Sequence, residues 1–281
     1  MIVWLASYPK SGNTLLRSIL ASYLFSKDGD INFDCLYKIK QFPSFDHFKN
    51  LGIDLNNEKE IFDNFIEAQK LINKKNNQLN FLKTHSSLAR INNCNFTDFK
   101  NTLGAIYIVR DPRNVVTSFA HHYNLQIDEA TDVIIDPTRW LVKTNFMCKT
   151  FLGSWKVNYN SWKQLKNNLL IIKYEDLVNK KKITLLKIFK FLQNLGLSNF
   201  KPDMRKLNRT IKSSDFDKMQ KLEKSIDFKE SIIDPITNKK KPFFNLGPKN
   251  DYKNNLNKEI RDKIEKEFKK EMEELGYLKQ N

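Results

Sequence analysis

Cysteine is scarce and scattered: Cys35, Cys94 and Cys148 are far apart, odd in number and never spaced C-x-x-C. Neither a disulfide framework nor a zinc site follows from that pattern, and reduced, buried thiols are the expectation. The four histidines show no H-x-x-H-type spacing either, so no metal is expected. Glycine and proline number only 8 each, no stretch reads as an interdomain linker, and no solenoid-type repeat is visible. No apolar run approaches the ~18 residues of a membrane span, and no signal peptide precedes the first strand. The expectation is a soluble, cytoplasmic protein with no membrane span.

What is present is a chain of 281 residues, 40% hydrophobic and 12% aromatic, with 21 Phe. That is enough to bury a full core, and without a linker it reads as one domain over residues 1–281. The net charge is +16, carried almost entirely by Lys beside abundant Asn. An AT-rich genome writes that pairing onto a surface, whereas selection for an anionic partner would also raise the charge. Nucleic acid is not the expected partner. Arginine, the better residue for planar anions, is rare enough that each one is worth following.

Short apolar runs alternate with helical patterns. Ile2–Ala6 reads as a buried strand and 14–25 as a helix carrying Leu15, Leu16, Ile19, Leu20 and Leu24. Further strands are expected at 79–82, 104–109 and 169–172, and helices at 57–75, 183–195, 202–224 and 255–275. One or two helices are expected over 138–166 with Trp140, Trp155 and Trp162, and Pro112 suits the first turn of another. The segment 227–250, rich in Lys and Pro, reads as loop. Such alternation predicts an α/β fold, a central parallel sheet flanked by helices, in which ligands sit at the carboxyl ends of the strands.

Three polar clusters fall at those ends. "SYPKSGNTLL" joins the first strand to its helix, where free backbone N–H groups and the helix dipole favour an anion. Gly12 permits close approach, Lys10 adds a charge, and Ser11, Asn13 and Thr14 add donors. This is phosphate-loop chemistry without the Walker pattern, since the first glycine is missing and the lysine precedes the single Gly. "IYIVRDPRNVVTSFAHHY" places Arg110 at a strand end and Ser118 two turns into a helix, suited to a second phosphate. A surface pair of Asp111 with Arg110 or Arg113 is the structural alternative. "FLKTHSS" brings Lys83 and His85 out of a third strand end, where His85 is a candidate general base.

Together these stretches resemble the sulfotransferase family that uses 3'-phosphoadenosine 5'-phosphosulfate (PAPS), particularly its cytosolic-type branch. "SYPKSGNTLLRSIL" resembles the family's 5'-phosphosulfate loop, "YIVRDPRNVVTSFAHHY" its 3'-phosphate motif and "LKTHSS" its catalytic-histidine segment. "FLGSWKVNYNSW…LLIIKYEDL" is similar to its mid-chain region, and "FFNLGPKNDYK…FKKEMEELGY" to its cofactor-closing loop and last helix. The resemblance implies a P-loop-like nucleotide-binding fold of sulfotransferase type, with a mobile closing segment at about 227–250. It implies that Lys10 stabilises charge on the bridging oxygen, that Lys83 binds the sulfuryl oxygens, and that His85 takes the acceptor's proton. Ser11, Gly12, Asn13 and Thr14 would hold the 5'-phosphate, and Arg110 and Ser118 the 3'-phosphate. Tyr174 and Gly247 would contact the nucleotide, with Phe216 and Ser214 at the adenine. The cofactor would be PAPS, the product PAP, and no metal would be required.

Two departures from that pattern stand out. Leu15 replaces an aromatic after the loop, and Asn245-Leu246-Gly247-Pro248-Lys249 replaces a closing loop that usually carries an arginine, a role open to Lys249 or the lysines of 239–241. A P-loop-type kinase, with Asp176 holding magnesium, and a catalytically silent nucleotide-binding protein are the rival readings. The acceptor is expected to be a small molecule or carbohydrate, met by the aromatic residues Phe33, Phe42, Phe45, His47 and Phe48, by His121, His122 and Tyr123, and by the 227–247 loop. Monomer and homodimer both remain open.

Overall fold

The computed structural model describes residues 1–76, 79–197, 202–226, 228–233 and 238–279. Four parallel strands form its centre: β1 (Ile2–Ala6), β2 (Asn80–Thr84), β3 (Thr102–Val109) and β4 (Leu169–Lys173). Their order in the sheet is β2-β1-β3-β4. The chain therefore steps from β1 to one side, then crosses to the other, and the crevice beside β1 is the place where such sheets bind ligands.

Side chains alternate across the strands, as the period of two requires. Ile2, Trp4, Ala6, Ala105, Tyr107 and Val109 face one core, with the helices Pro112–Tyr123, Trp155–Trp162 and Lys258–Glu267. Val3, Leu5, Ile106, Ile108 and Ile172 face the other, with α1 (Asn13–Phe25) and the helix Lys181–Asn194. Both faces are covered, which is why the strands read as unbroken apolar runs rather than alternating ones. Trp4 is fully buried, with its indole N–H donating to Thr102 Oγ1 at 2.9 Å. Burying a large apolar side chain contributes about 1.5–3 kcal/mol, so the ring cluster of Trp4, Phe42, Phe65, Phe96 and Trp162 is a major part of this core.

The helical expectations are corrected in detail. The 57–75 pattern is two helices, Glu58–Asp63 and Phe65–Asn76, with Asn64 closing the first. The 202–224 pattern divides into Met204–Ser213 and Phe216–Ser225, because Asp215 leaves helical geometry and starts the second. Residues 138–154 are not helical: Trp140–Leu141 pairs antiparallel with Thr150–Phe151, and Gly153 turns the chain at φ +65° before Ser154 caps the next helix. The last helix is three pieces, Tyr252–Asn255, Lys258–Glu267 and Lys269–Glu274. In the segment 227–250, positions 227 and 234–237 lie outside the described residues, Ile232–Ile233 pairs with Lys240–Lys241, and Gly247–Lys249 is a 3-10 turn.

Candidate active site

The register brings the chemistry together. Ala6 lies opposite both Thr84 and Tyr107, and Val109 lies opposite Lys173. The residues that follow the four strands are Ser7, His85, Arg110 and Tyr174, so all four emerge at one edge of the sheet. Three of them, His85, Arg110 and Tyr174, border a cavity of about 810 Å³. Lys10, Gly12, Asn13, Thr14, Lys83, Ser118, Ser214, Phe216 and Gly247 line the same space. Of the residues expected to bind the donor or act in catalysis, only Ser11 does not line it; its hydroxyl is buried and lacks a hydrogen-bond partner.

The loop after β1 is shaped for an anion. Lys10 adopts φ +65° and Gly12 φ +100°, a left-handed pair that turns the chain into α1. Glycine is required at the second of these, because a Cβ there would meet the Tyr174 ring at 2.4 Å. The Asn13 amide donates to the Leu5 carbonyl at 2.9 Å and to Ser7 Oγ at 3.2 Å, which ties the loop to its strand. The first-turn N–H groups of α1, unpaired within the helix, open on this end.

Arg110 and Arg113 have different fates. Arg113 pairs with Asp111 and with Glu265, donates to the Tyr277 carbonyl and stacks on Tyr252, so it fastens the C-terminal helices. Arg110 instead lies 4.3 Å from the centre of the Tyr174 ring and donates to the Lys10 and Gly247 carbonyls at 3.3 and 3.2 Å. Its Nε is buried without a partner. Gly247 is again obligatory, since a Cβ at its φ of +50° would fall 2.0 Å from the Phe216 ring. Leu15 lines the cavity where the aromatic was expected.

His85 is held from both sides. Its Nδ1 lies 2.9 Å from the Ser7 carbonyl and 3.2 Å from Ser7 Oγ. A carbonyl only accepts, so Nδ1 carries the hydrogen and Nε2 is left with its lone pair. Asn158, on the helix Trp155–Trp162, donates to the His85 carbonyl at 3.0 Å, and Trp162 Nε1 donates to the Ser86 carbonyl at 3.0 Å. Burial and the neighbouring Lys83 push the imidazole down to about 3, so it is neutral at physiological pH.

The lysines are perturbed for the same reason. Burial and the nearby charge of Lys83 lower Lys10 to about 7, and burial lowers Lys83 to about 8. The counter-charge is Glu230, which sequence reasoning missed. Its carboxylate accepts from Thr14 Oγ1 at 2.7 Å, is ion-paired with Arg17, and lies 3.8 Å from Lys83 Nζ. Burial alone would raise it, but Lys83, Arg17 and the Thr14 hydroxyl hold it at about 2. Arg17 was also missed, although an arginine three residues after Thr14 on an otherwise apolar helix was a visible signal. Lys181 is a third omission: it lines the cavity and donates to the Ser214 carbonyl at 3.2 Å.

Other expectations are corrected. Phe33, Phe42, Phe45, His47 and Phe48 do not line the cavity; Phe42 and Phe48 belong to the aromatic core, and Phe33 to a small cluster with Phe228 and Phe244. His121, His122 and Tyr123 do line it, beside Ile127, Leu141, Val142 and Met147. Neither Lys249 nor residues 239–241 replace the missing closing-loop arginine in the lining; Lys241 donates to the His121 carbonyl and Asn124 instead. Asp176, the magnesium ligand of the kinase reading, lies outside the cavity and pairs with Lys180. No helix among the described residues is long and apolar enough to cross a membrane.

Comparison with known proteins bears on the family and the fold. The chain is 24% identical over 280 residues to mouse sulfotransferase 1 family member D1, covering 97% of this chain and 83% of that one. It is 26% identical over 273 residues to human sulfotransferase 1E1, covering 96% and 83%. Among solved structures, a mouse sulfotransferase complexed with PAP superposes with a TM-score of 0.59 at 19% identity, over 98% of this chain and 85% of that one. A retinol dehydratase in a complex with retinol and PAP gives 0.57 at 17% identity, over 96% and 81%. The sulfotransferase domain family matches residues 2–276. Over residues 2–276, this chain belongs to the sulfotransferase family, enzymes that transfer a sulfuryl group from PAPS.

Proposed function

We propose that this protein moves the sulfuryl group of PAPS onto the hydroxyl of a small acceptor with an apolar body, with His85 as the general base. The observation that carries the reading is the seating of His85. Its Nδ1–H is committed to the Ser7 carbonyl, and the ring borders the same cavity as Lys10 and Lys83.

The residues fit the donor. Lys10, Lys83 and Arg110 supply positive charge, while Arg110 Nε and Ser11 Oγ are buried hydrogen-bond donors without partners. Thr14 already donates to a carboxylate, which stands in for an anionic oxygen. Residues 11–14 would hold the 5'-phosphate, Arg110 and Ser118 the 3'-phosphate, and Phe216, Ser214 and Tyr174 the nucleoside. Bound there, PAPS supplies a sulfuryl group whose S–O bond to phosphate breaks as the acceptor oxygen bonds to sulfur. His85 Nε2 takes the acceptor's proton, and the Ser7 carbonyl steadies the imidazolium so formed. Lys10 and Lys83 stabilise charge that grows on the bridging and sulfuryl oxygens, the largest type of catalytic contribution in such sites.

The acceptor end is apolar, with Tyr123, Ile127, Leu141, Val142 and Met147 on its walls. A retinol dehydratase of the same fold is described with retinol and with androsterone, two alcohols with apolar frames. That likeness supports the same acceptor class here over a carbohydrate.

The test is a thermal shift with PAP in the absence of metal. A ligand at about a hundred times its Kd stabilises the folded state by roughly 2.7 kcal/mol. Wild type should shift and Arg110→Ala should not. Stabilisation by ATP with magnesium and not by PAP would favour phosphoryl transfer instead.

A further inference from the structure

Glu230 stands between the helix Phe216–Ser225 and the strand Ile232–Ile233, in the stretch that leads on to the closing loop at Gly247. Its carboxylate reaches back into the strand-end site and engages Thr14, Arg17 and Lys83 at once. Two of these, Thr14 and Lys83, are residues that the proposed function gives to the donor, and Glu230 itself borders the cavity. Four cations, Lys10, Arg17, Lys83 and Arg110, are gathered at this edge, and unpaired buried charge is severely unfavourable. One internal carboxylate relieves that repulsion. It also takes hydrogen-bond donors that an anionic ligand needs, and two anions cannot share them.

Arg17 completes the argument. It is 3% exposed in the first turns of α1, on the same side as Thr14. Its NH2 pairs with Glu230 and its Nε has no partner. An arginine so placed has a donor free for a second oxygen and, among the described residues, loses its only carboxylate if Glu230 withdraws.

We propose that the Glu230 carboxylate is an internal competitor for the phosphosulfate end of the donor site, and that on its displacement Arg17 becomes a ligand of the donor's phosphosulfate oxygens. The inference rests on the donor reading given above. Glu230 then sets how tightly the donor is held, because every binding event must first break the contacts to Thr14, Arg17 and Lys83.

Calorimetric titration of PAPS, without acceptor, into wild type, Glu230→Gln and Glu230→Asp tests this. Charge-assisted hydrogen bonds are worth enough that Glu230→Gln should bind PAPS about ten- to a hundred-fold tighter than wild type. Glu230→Asp keeps the charge that balances Lys83 and Arg17 while shortening its reach. It should fold even if Glu230→Gln does not, and should also bind more tightly than wild type. Adding Arg17→Met to either variant should remove about ten-fold or more of the affinity. Equal or weaker PAPS binding by the Glu230 variants would make Glu230 a fixed partner of Arg17 and overturn the proposal, with the donor reading intact. Unchanged affinity on adding Arg17→Met would overturn the role of Arg17. Binding of PAPS by none of these proteins would overturn the donor reading and this inference with it.

Discussion

Donor binding should carry protons with it, because the site holds two lysines whose ammonium groups are disfavoured before the ligand arrives. Lys10 is lowered to about 7 and Lys83 to about 8 in the free protein, by burial and, for Lys10, by the charge of Lys83. An anionic ligand favours the charged form of both and returns them toward ordinary lysine values. The proton uptake follows from the two free-state values. At pH 7 Lys10 is about half neutral and Lys83 about a tenth, so PAP binding should take up roughly 0.6 proton. At pH 8 the sum rises to roughly 1.4 protons. Phosphate groups titrate near 6, so at pH 8 the ligand's own protons interfere little. Glu230, held at about 2, stays ionised through this range and adds nothing.

The sign is distinctive. A lysine that binds ligand only when charged weakens affinity up to about ten-fold per pH unit above its free-state value. PAP affinity should therefore fall from pH 7 to 9. The folding contribution of Lys10 runs the other way. A base whose folded pKa lies below its unfolded value costs stability in full below about 7, and that cost shrinks as pH rises from there toward the ordinary lysine value. Isothermal titration in buffers of different ionisation enthalpy reads the uptake directly, and Lys10→Met should remove the larger part of it at pH 7. Zero uptake at pH 8 with a flat affinity from pH 7 to 9 would refute the electrostatic account of this site.

Two further outcomes follow from the geometry. His85→Asn should retain PAP binding but lose about 10²- to 10⁴-fold in turnover, the usual worth of a positioned general base; a variant with wild-type rate in a sulfuryl-transfer assay would sink that role. Gly12→Ala places a Cβ at 2.4 Å from the Tyr174 ring on a φ of +100°. The left-handed conformation alone costs about 1–2 kcal/mol, and the ring it displaces carries Arg110. Denaturant unfolding should show at least that loss, and PAP titration a further loss of affinity. Unchanged PAP affinity would separate the Tyr174 ring from the 3'-phosphate site.

The sequence by itself determined the strand–helix alternation, the parallel sheet and the three polar clusters at the strand ends. Buried strands announce themselves as unbroken apolar runs, and the residues that follow them must lie at the sheet edge. It placed Gly12 at the turn, Pro112 at a helix start, and Lys10, Lys83, His85 and Arg110 at the strand ends, where the structure gathers them around one cavity. It misread 138–154 as helix, because apolar content without a clear period does not distinguish a short hairpin from a helical turn. It also placed Phe42 and Phe48 near the acceptor, since hydrophobicity does not say which side of a wall a ring faces.

Only the tertiary structure decided which charges meet. Arg110 and Arg113 are three residues apart and look alike in the sequence, yet one stacks on Tyr174 at the cavity and the other fastens the C-terminal helices. The tautomer of His85 depends on a carbonyl 78 positions away. Glu230, an ordinary acid in a lysine-rich stretch, is brought against Thr14 across 216 positions. Periodicity and propensity are local and can be read along the chain. Pairing across such distances is set by how the helices and the closing stretch pack on the sheet, and only there does a carboxylate meet Thr14, Arg17 and Lys83.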